Sequence, residues 1–171
     1  MGLIICDVDG TLISSYMDTP RHRYNEWAVL PGRAEHLSAL QEQGQRIALA
    51  TNQAGVAFGY VTEAQAWRKL AAVLADLRLP ADTPMAVCFA HPSAKAYKYR
   101  IPVEVARRKP SGTMLHEIMA AVGVYDAVVY VGDRPEDRQA ARHAGVGFRW
   151  ADEFFGNAAD DDVSVEMESV S

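Results

Sequence analysis

Short apolar runs and longer amphipathic stretches alternate along this chain. Leu3-Ile4-Ile5-Cys6, Ile47-Ala48-Leu49-Ala50, Met85 to Ala90 and Ala127 to Val131 are unbroken runs of strand length, as in strands covered on both faces. Gly147 to Trp150 reads as a final strand. Between the runs, apolar residues recur at helical spacing. Ala34, Leu37, Ala39 and Leu40 lie between Gly32 and Gly44, and Ala66, Leu70, Val73, Leu74 and Leu77 follow Thr62, a ready N-cap. Further helices are predicted from Ser111 to Val122, stopped by Gly123, and over residues 135–144. Strand and helix in alternation predict an α/β fold, a three-layer sandwich around a central, mainly parallel sheet.

What remains is loop. Residues 13–31 are polar and broken by Pro20 and Pro31, so they predict a surface loop past the strand tips, with Trp27 and Leu30 pinning it or lining a pocket. Residues 91–108 form a long connection rich in basic and aromatic residues. From Gly156 onward the chain is acidic and rich in small residues. One domain over 1–155 and a mobile tail over 156–171 are therefore expected. A length of 171 residues suits a single core, and the formal net charge of −5 gives no general attraction to nucleic acid or anionic membrane. The two cysteines, Cys6 and Cys88, fall in apolar runs and read as buried thiols. No run is long and apolar enough to span a membrane, and no basic leader precedes the first strand, so a cytoplasmic setting is expected.

Candidate chemistry sits where the strands end. The first closes in Asp7-Val8-Asp9-Gly10-Thr11. Two carboxylates so close repel each other unless a cation or proton intervenes, and Gly10 lets the chain turn away sharply. Strand ends of this kind are where open α/β sheets place ligands, so the tip reads as a magnesium and phosphate site, with an ordinary acidic turn as the plainer alternative. Later strand ends supply the partners such a site needs. Thr51 offers a hydroxyl, Asn52 an amide, Lys109 a positive charge, and Asp133 and Asp137 further carboxylates. Singly, Thr51 also reads as a cap, Lys109 as a surface lysine and Asp133 as a turn residue.

Asp7-Val8-Asp9-Gly10-Thr11, Thr51-Asn52-Gln53, Arg108-Lys109-Pro110 and Gly132-Asp133-Arg134-Pro135-Glu136-Asp137 together closely resemble the four motifs of the haloacid dehalogenase-like (HAD) superfamily of phosphohydrolases. The fuller second motif, Thr51 to Tyr60, is similar to subclass III, which includes histidinol-phosphate phosphatase, heptose 1,7-bisphosphate phosphatase and the phosphatase domain of polynucleotide kinase/phosphatase. The resemblance implies a HAD-like Rossmannoid fold. It implies that Asp7 attacks phosphorus to form an aspartyl-phosphate, and that Asp9 protonates the leaving alkoxide and then activates water. Asp7, the Asp9 backbone carbonyl and Asp133 would hold Mg2+, while Thr51 and Lys109 hold the phosphoryl group. Gly10, Thr11, Asn52 and Arg108 would border the substrate, and Asp137 would fix Lys109 or a metal-bound water. The implied substrate is a small phosphorylated metabolite such as a sugar phosphate.

The pattern departs from the family in two places. Neither Thr11 to Thr51 nor Asn52 to Lys109 holds enough chain for a large cap domain, so an open site is expected. The bacterial heptose and histidinol phosphatases usually carry a zinc loop of a Cys-x-His pair and a Cys-x-Cys pair. Here Cys88 and His91 have another spacing, and the second pair would fall at Val105 and Arg107. In that place stand Lys95-Ala96-Tyr97-Lys98-Tyr99-Arg100 and Arg107-Arg108-Lys109. Basic residues interleaved with aromatics can hold a polynucleotide, which makes a polynucleotide 3′-phosphatase the alternative function. They can equally form a solvated loop whose tyrosines pack. A noncatalytic binding protein on the same fold is the third reading.

Overall fold

A computed structural model describes residues 1–15 and 23–156. The expected mobile tail beyond Gly156, and residues 16–22 of the first loop, lie outside the described residues. Five strands, β1 (Gly2–Cys6), β2 (Arg46–Asn52), β3 (Met85–Cys88), β4 (Ala127–Gly132) and β5 (Gly147–Trp150), form one sheet. Its order is β3-β2-β1-β4-β5 and every pairing is parallel.

β1 is buried along its whole length, and its alternation divides the core. Ile4 and Cys6 face one layer, with Leu37 and Leu40 of α1 (Arg33–Glu42) and Leu70, Val73 and Leu74 of α2 (Glu63–Asp76). Leu3 and Ile5 face the other, with Met114, Leu115 and Ile118. The connection after β3 contains a short α3 (Pro102–Val105), followed by α4 (Thr113–Val122), α5 (Pro135–Ala144) and α6 (Ala151–Phe155). α4 and α5 cover the Leu3 face, and α6 adds Phe154 and Phe155 to the Ile4 face. The result is the expected three-layer sandwich. Ala48 and Ala50 of β2 share a cluster with Tyr130 of β4, whose phenol reaches the Ala50 carbonyl at 3.1 Å.

Several local details differ from the sequence reading. β2 continues through Thr51 and Asn52, which pair with Val87 and Cys88, and β3 stops at Cys88 rather than Ala90. Residues 91–108 are not structureless: a 3-10 turn at Tyr97–Tyr99 and α3 interrupt them. Elements this short span too few turns to leave a periodic signal, and the five-residue α6 escapes notice for the same reason. In the first loop Trp27 and Val29 pack on the core, while Leu30 is tied through its backbone, its N–H donating to the Leu12 carbonyl at 3.0 Å. Thr62 caps α2 as its position suggested, in a reciprocal box with Gln65. Among the described residues no helix is long and apolar enough to cross a membrane.

The sheet order fixes where a site can form. From β1 the chain steps outward to β2 and β3, then returns to β4 on the other side of β1. Beyond the carboxyl ends of β1 and β4 the loops part in opposite directions, leaving a crevice.

Candidate active site

A cleft of about 450 Å³ opens in that crevice, with Asp7, Asp9, Asn52, Arg108, Lys109 and Asp137 among its walls. Asp7 follows directly from β1, and its N–H donates to the Val131 carbonyl at 2.9 Å. Lys109 reaches over from the loop before α4. Its Nζ lies 2.9 Å from Asp7 Oδ1, 2.6 Å from Asp137 Oδ1 and 2.8 Å from the Tyr130 phenol. Asp137, in the first turn of α5, is fully engaged. Its Oδ1 also accepts from Tyr130 at 3.0 Å, and its Oδ2 accepts the N–H groups of Asp133 and Arg134, each at 3.1 Å. Asn52 grips the backbone of Lys109 from the far strand: its amide donates to the Lys109 carbonyl at 3.3 Å and accepts the Lys109 N–H at 3.1 Å.

Charge is unevenly balanced here. Asp7, Asp133 and Asp137 bring carboxylate oxygens within 4.8 Å of one another, and one ammonium, Lys109, bridges two of them. Burial pushes the Asp7 carboxyl well above its ordinary range; Lys109 opposes this, and Asp137 and Asp133 add to it. Asp133 is raised for the same first reason, burial, with Asp137 adding. Burial alone would lower Lys109, but Asp7 and Asp137 outweigh it and hold the ammonium charged. Tyr130 is raised well above its normal value by burial and by those two carboxylates, so it stays a phenol and a donor. An excess of buried carboxylate with oxygen-only donors suits a hard divalent cation. Gly10 makes room for the third carboxylate. It has φ +82, and a Cβ there would run into the Asp133 side chain.

Asp9 belongs to a second network. Lys69 Nζ donates to its Oδ1 at 3.0 Å, and Gln53 Nε2 donates to its Oδ2 at 2.8 Å and to Thr51 Oγ1 at 2.9 Å. The Tyr24 phenol donates to Gln53 Oε1 at 3.2 Å.

Asp7, Asp133, Asp137 and Lys109 thus come together as the motif order implied, and Asp9, Asn52 and Arg108 line the same cleft. Three candidates stand back from the open cleft. Thr11 is fully buried and donates to Asp133 Oδ1 at 3.2 Å, Gly10 clears space for that carboxylate, and Thr51 is 1% exposed. Sequence reasoning missed Tyr130, hidden in an apolar strand, and Lys69, which lies inside the apolar stripe of α2 three residues after Ala66 and four before Val73. A lysine in such a stripe is the signal that could have found it. Gln53 was visible in the second motif without a task.

In the connection over 95–109 several charges are paired within the chain, while Lys95, Lys98 and Arg100 stay exposed. Arg107 makes a forked pair with Glu117 at 2.6 and 2.9 Å. Arg100 donates to the Ala94 and Lys95 carbonyls, Tyr99 to Glu63 at 2.9 Å, and Lys98 lies 3.9 Å from Glu63. Cys88 Sγ lies 3.5 Å from the Glu104 carbonyl, the His91 ring lies 4.7 Å from that of Phe58, and His91 Nδ1 accepts the Ser93 N–H at 3.0 Å.

Solved structures share this architecture. A HAD-like phosphatase chain of Mesorhizobium loti superimposes with a TM-score of 0.71 at 25% identity, over 86% of this chain and 70% of the other. The D,D-heptose 1,7-bisphosphate phosphatase of B. bronchiseptica, complexed with magnesium and phosphate, gives 0.65 at 30% identity over 86% and 79%. In sequence, the D-glycero-beta-D-manno-heptose-1,7-bisphosphate 7-phosphatase of Escherichia coli is 31% identical over 150 residues, 84% of this chain and 75% of the relative. That of Haemophilus ducreyi is 30% identical over 149 residues, 84% and 78%. Fold and site together make the chain a phosphatase of the HAD superfamily. Residues 2–163 match the polynucleotide kinase 3 phosphatase family, and the chain belongs to it.

Proposed function

We propose that this chain is a cytoplasmic, magnesium-dependent phosphomonoesterase acting through an aspartyl-phosphate on a small phosphorylated metabolite of the sugar-phosphate kind. The observation that carries the reading is the Asp7 carboxylate in the cleft wall, fixed by Lys109 at 2.9 Å beside an excess of acidic charge. An Asp7 oxygen forms a bond to phosphorus as the ester P–O bond breaks, and Asp9 gives its proton to the departing alkoxide. Water then attacks phosphorus, its proton passes to Asp9, the Asp7–phosphorus bond breaks, and inorganic phosphate leaves. Lys109 neutralises charge on the transferred group and Asp137 with Tyr130 holds Lys109 in place. Thr51 accepts from Gln53, and its own proton, given to the Asn52 carbonyl at 3.4 Å, would turn from there to a phosphoryl oxygen. Arg108 and Asn52 border the substrate. Mg2+, held by Asp7, the Asp9 carbonyl and Asp133, would supply the charge that brings two anions together.

The heptose phosphatase relatives support a sugar phosphate. A polynucleotide 3′-phosphatase is the second reading, favoured by the family match, while the forked pairing of Arg107 with Glu117, which takes one of the segment's cations away from a polymer, supports the metabolite instead. A panel of sugar phosphates run beside a 3′-phosphorylated oligonucleotide decides between them. The metabolite reading requires the highest kcat/KM on a sugar phosphate. A large preference for the oligonucleotide over every metabolite overturns it.

A further inference from the structure

We propose that Lys69, acting together with Gln53, is a positioning residue that clamps Asp9 for its work as proton donor and acceptor. The inference rests on the role given to Asp9 above. Both Asp9 oxygens are taken by side chains from outside the acidic cluster, Oδ1 by Lys69 at 3.0 Å and Oδ2 by Gln53 at 2.8 Å. Held at both ends, the carboxylate keeps one orientation.

Lys69 comes from the middle of α2, and its side chain is 2% exposed, against 18% for Asp9. Its neighbours on that helix face are Ala66, Leu70 and Val73, so an aliphatic side chain would suit the packing. Burying an ammonium is costly, and a buried ion pair commonly gives no net stability over an apolar pair of similar volume. Stability is therefore a poor account of a lysine at this position. Geometry is a better one. The Lys69 ammonium lies 4.2 Å from the centre of the Tyr24 ring, and Tyr24 in turn donates to Gln53. The Lys69 ammonium and the Gln53 Nε2 group can only donate, so each Asp9 oxygen retains a lone pair for the proton in transit. Gln53 also donates to Thr51, which ties the acid–base group and a phosphate-binding hydroxyl to one amide.

Steady-state kinetics of the full chain with p-nitrophenyl phosphate and glycerol phosphate test the clamp in Lys69→Met, Asp9→Asn and the double variant. A misplaced acid–base group costs roughly 10- to 100-fold in rate, so Lys69→Met is expected to lower kcat by that much on both substrates, with KM little changed. Lys69→Arg, which keeps the charge, should recover part of the loss. In the Asp9→Asn background Lys69→Met should lower kcat by less than about threefold, because a residue acting through Asp9 has nothing left to act on. If Lys69→Met does not fold, Lys69→Gln carries the same comparison. Near-wild-type kcat, a loss confined to KM, or a full multiplicative loss in the Asp9→Asn background overturns the proposal. Asp7→Asn run alongside separates the questions. Inactive Asp7→Asn with fully active Lys69→Met defeats the clamp alone, whereas active Asp7→Asn defeats the role given to Asp7.

Discussion

Lys109 touches two carboxylates, and the two differ in what else they hold. Asp137 is bonded to Tyr130 and to two backbone N–H groups, so its geometry is fixed. Asp7 is held by Lys109 and lines the cleft. This is why the proposed mechanism gives the nucleophile's role to Asp7 and the scaffold's to Asp137. Asp9 is bound elsewhere, by Lys69 and Gln53, which suits an independent proton carrier. Asp9→Asn should therefore depend on the leaving group. Alkyl phosphates, which need protonation, should lose on the order of 10²–10⁴-fold in kcat/KM; p-nitrophenyl phosphate should lose much less at the phosphorylation step in a rapid-quench measurement. Equal losses would remove Asp9 from that step. At this scale the sequence disclosed the charged partners because motifs at strand tips name them. It concealed Tyr130 and Lys69, since a phenol inside an apolar strand and a lysine inside an apolar helix stripe follow the core's periodicity until their partners are seen.

Among the elements, β1, β2 and β4 do most to build the site, and their apolar runs made them legible before the structure was known. The 91–108 connection was not legible, because its order comes from Tyr99 with Glu63 and from Arg107 with Glu117, contacts between residues 10 to 36 apart. The join between α1 and α6 carries a separate consequence. His36 packs against Phe154 and Phe155 at ring distances of 5.0 and 5.2 Å, and its Nε2 is buried with no hydrogen-bond partner. Burial and then the Arg33 charge lower its pKa from 6.5. The folded state therefore takes up this proton less readily than the unfolded chain. Its contribution is intact above pH 6.5 and is lost as pH falls from there through the folded value. His36→Phe should raise stability by about 1 kcal/mol by removing an unsatisfied polar atom, and should flatten the decline in urea midpoint between neutral and mildly acidic pH. An unchanged pH profile would show that another group sets it.

For the molecule as a whole, the decisive fact is the placement of β4 on the opposite side of β1 from β2. That order brings residues 7, 109, 133 and 137 to one crevice although up to 130 positions separate them. Alternating strands and helices foretold the layers, while the order of the strands, set by contacts distant in sequence, emerged only in the structure. The same crevice carries more carboxylate than cation, which leads to a metal prediction. Chelation should abolish turnover, Mg2+ should restore it, and stripping zinc should leave the melting temperature unchanged, since Val105 and Arg107 stand where a second ligand pair would fall. Stoichiometric zinc whose removal unfolds the protein would contradict this.

The most direct test is to trap the covalent intermediate. Protein turning over an aryl phosphate with Mg2+ is quenched in acid, digested, and its peptides mapped by mass spectrometry. The account predicts a phosphoryl group on Asp7, absent in Asp7→Asn, whose turnover should fall by at least about a thousandfold with the fold intact. Steady turnover with no phosphoryl group on any peptide, or an Asp7→Asn variant within a few-fold of wild type, would contradict it.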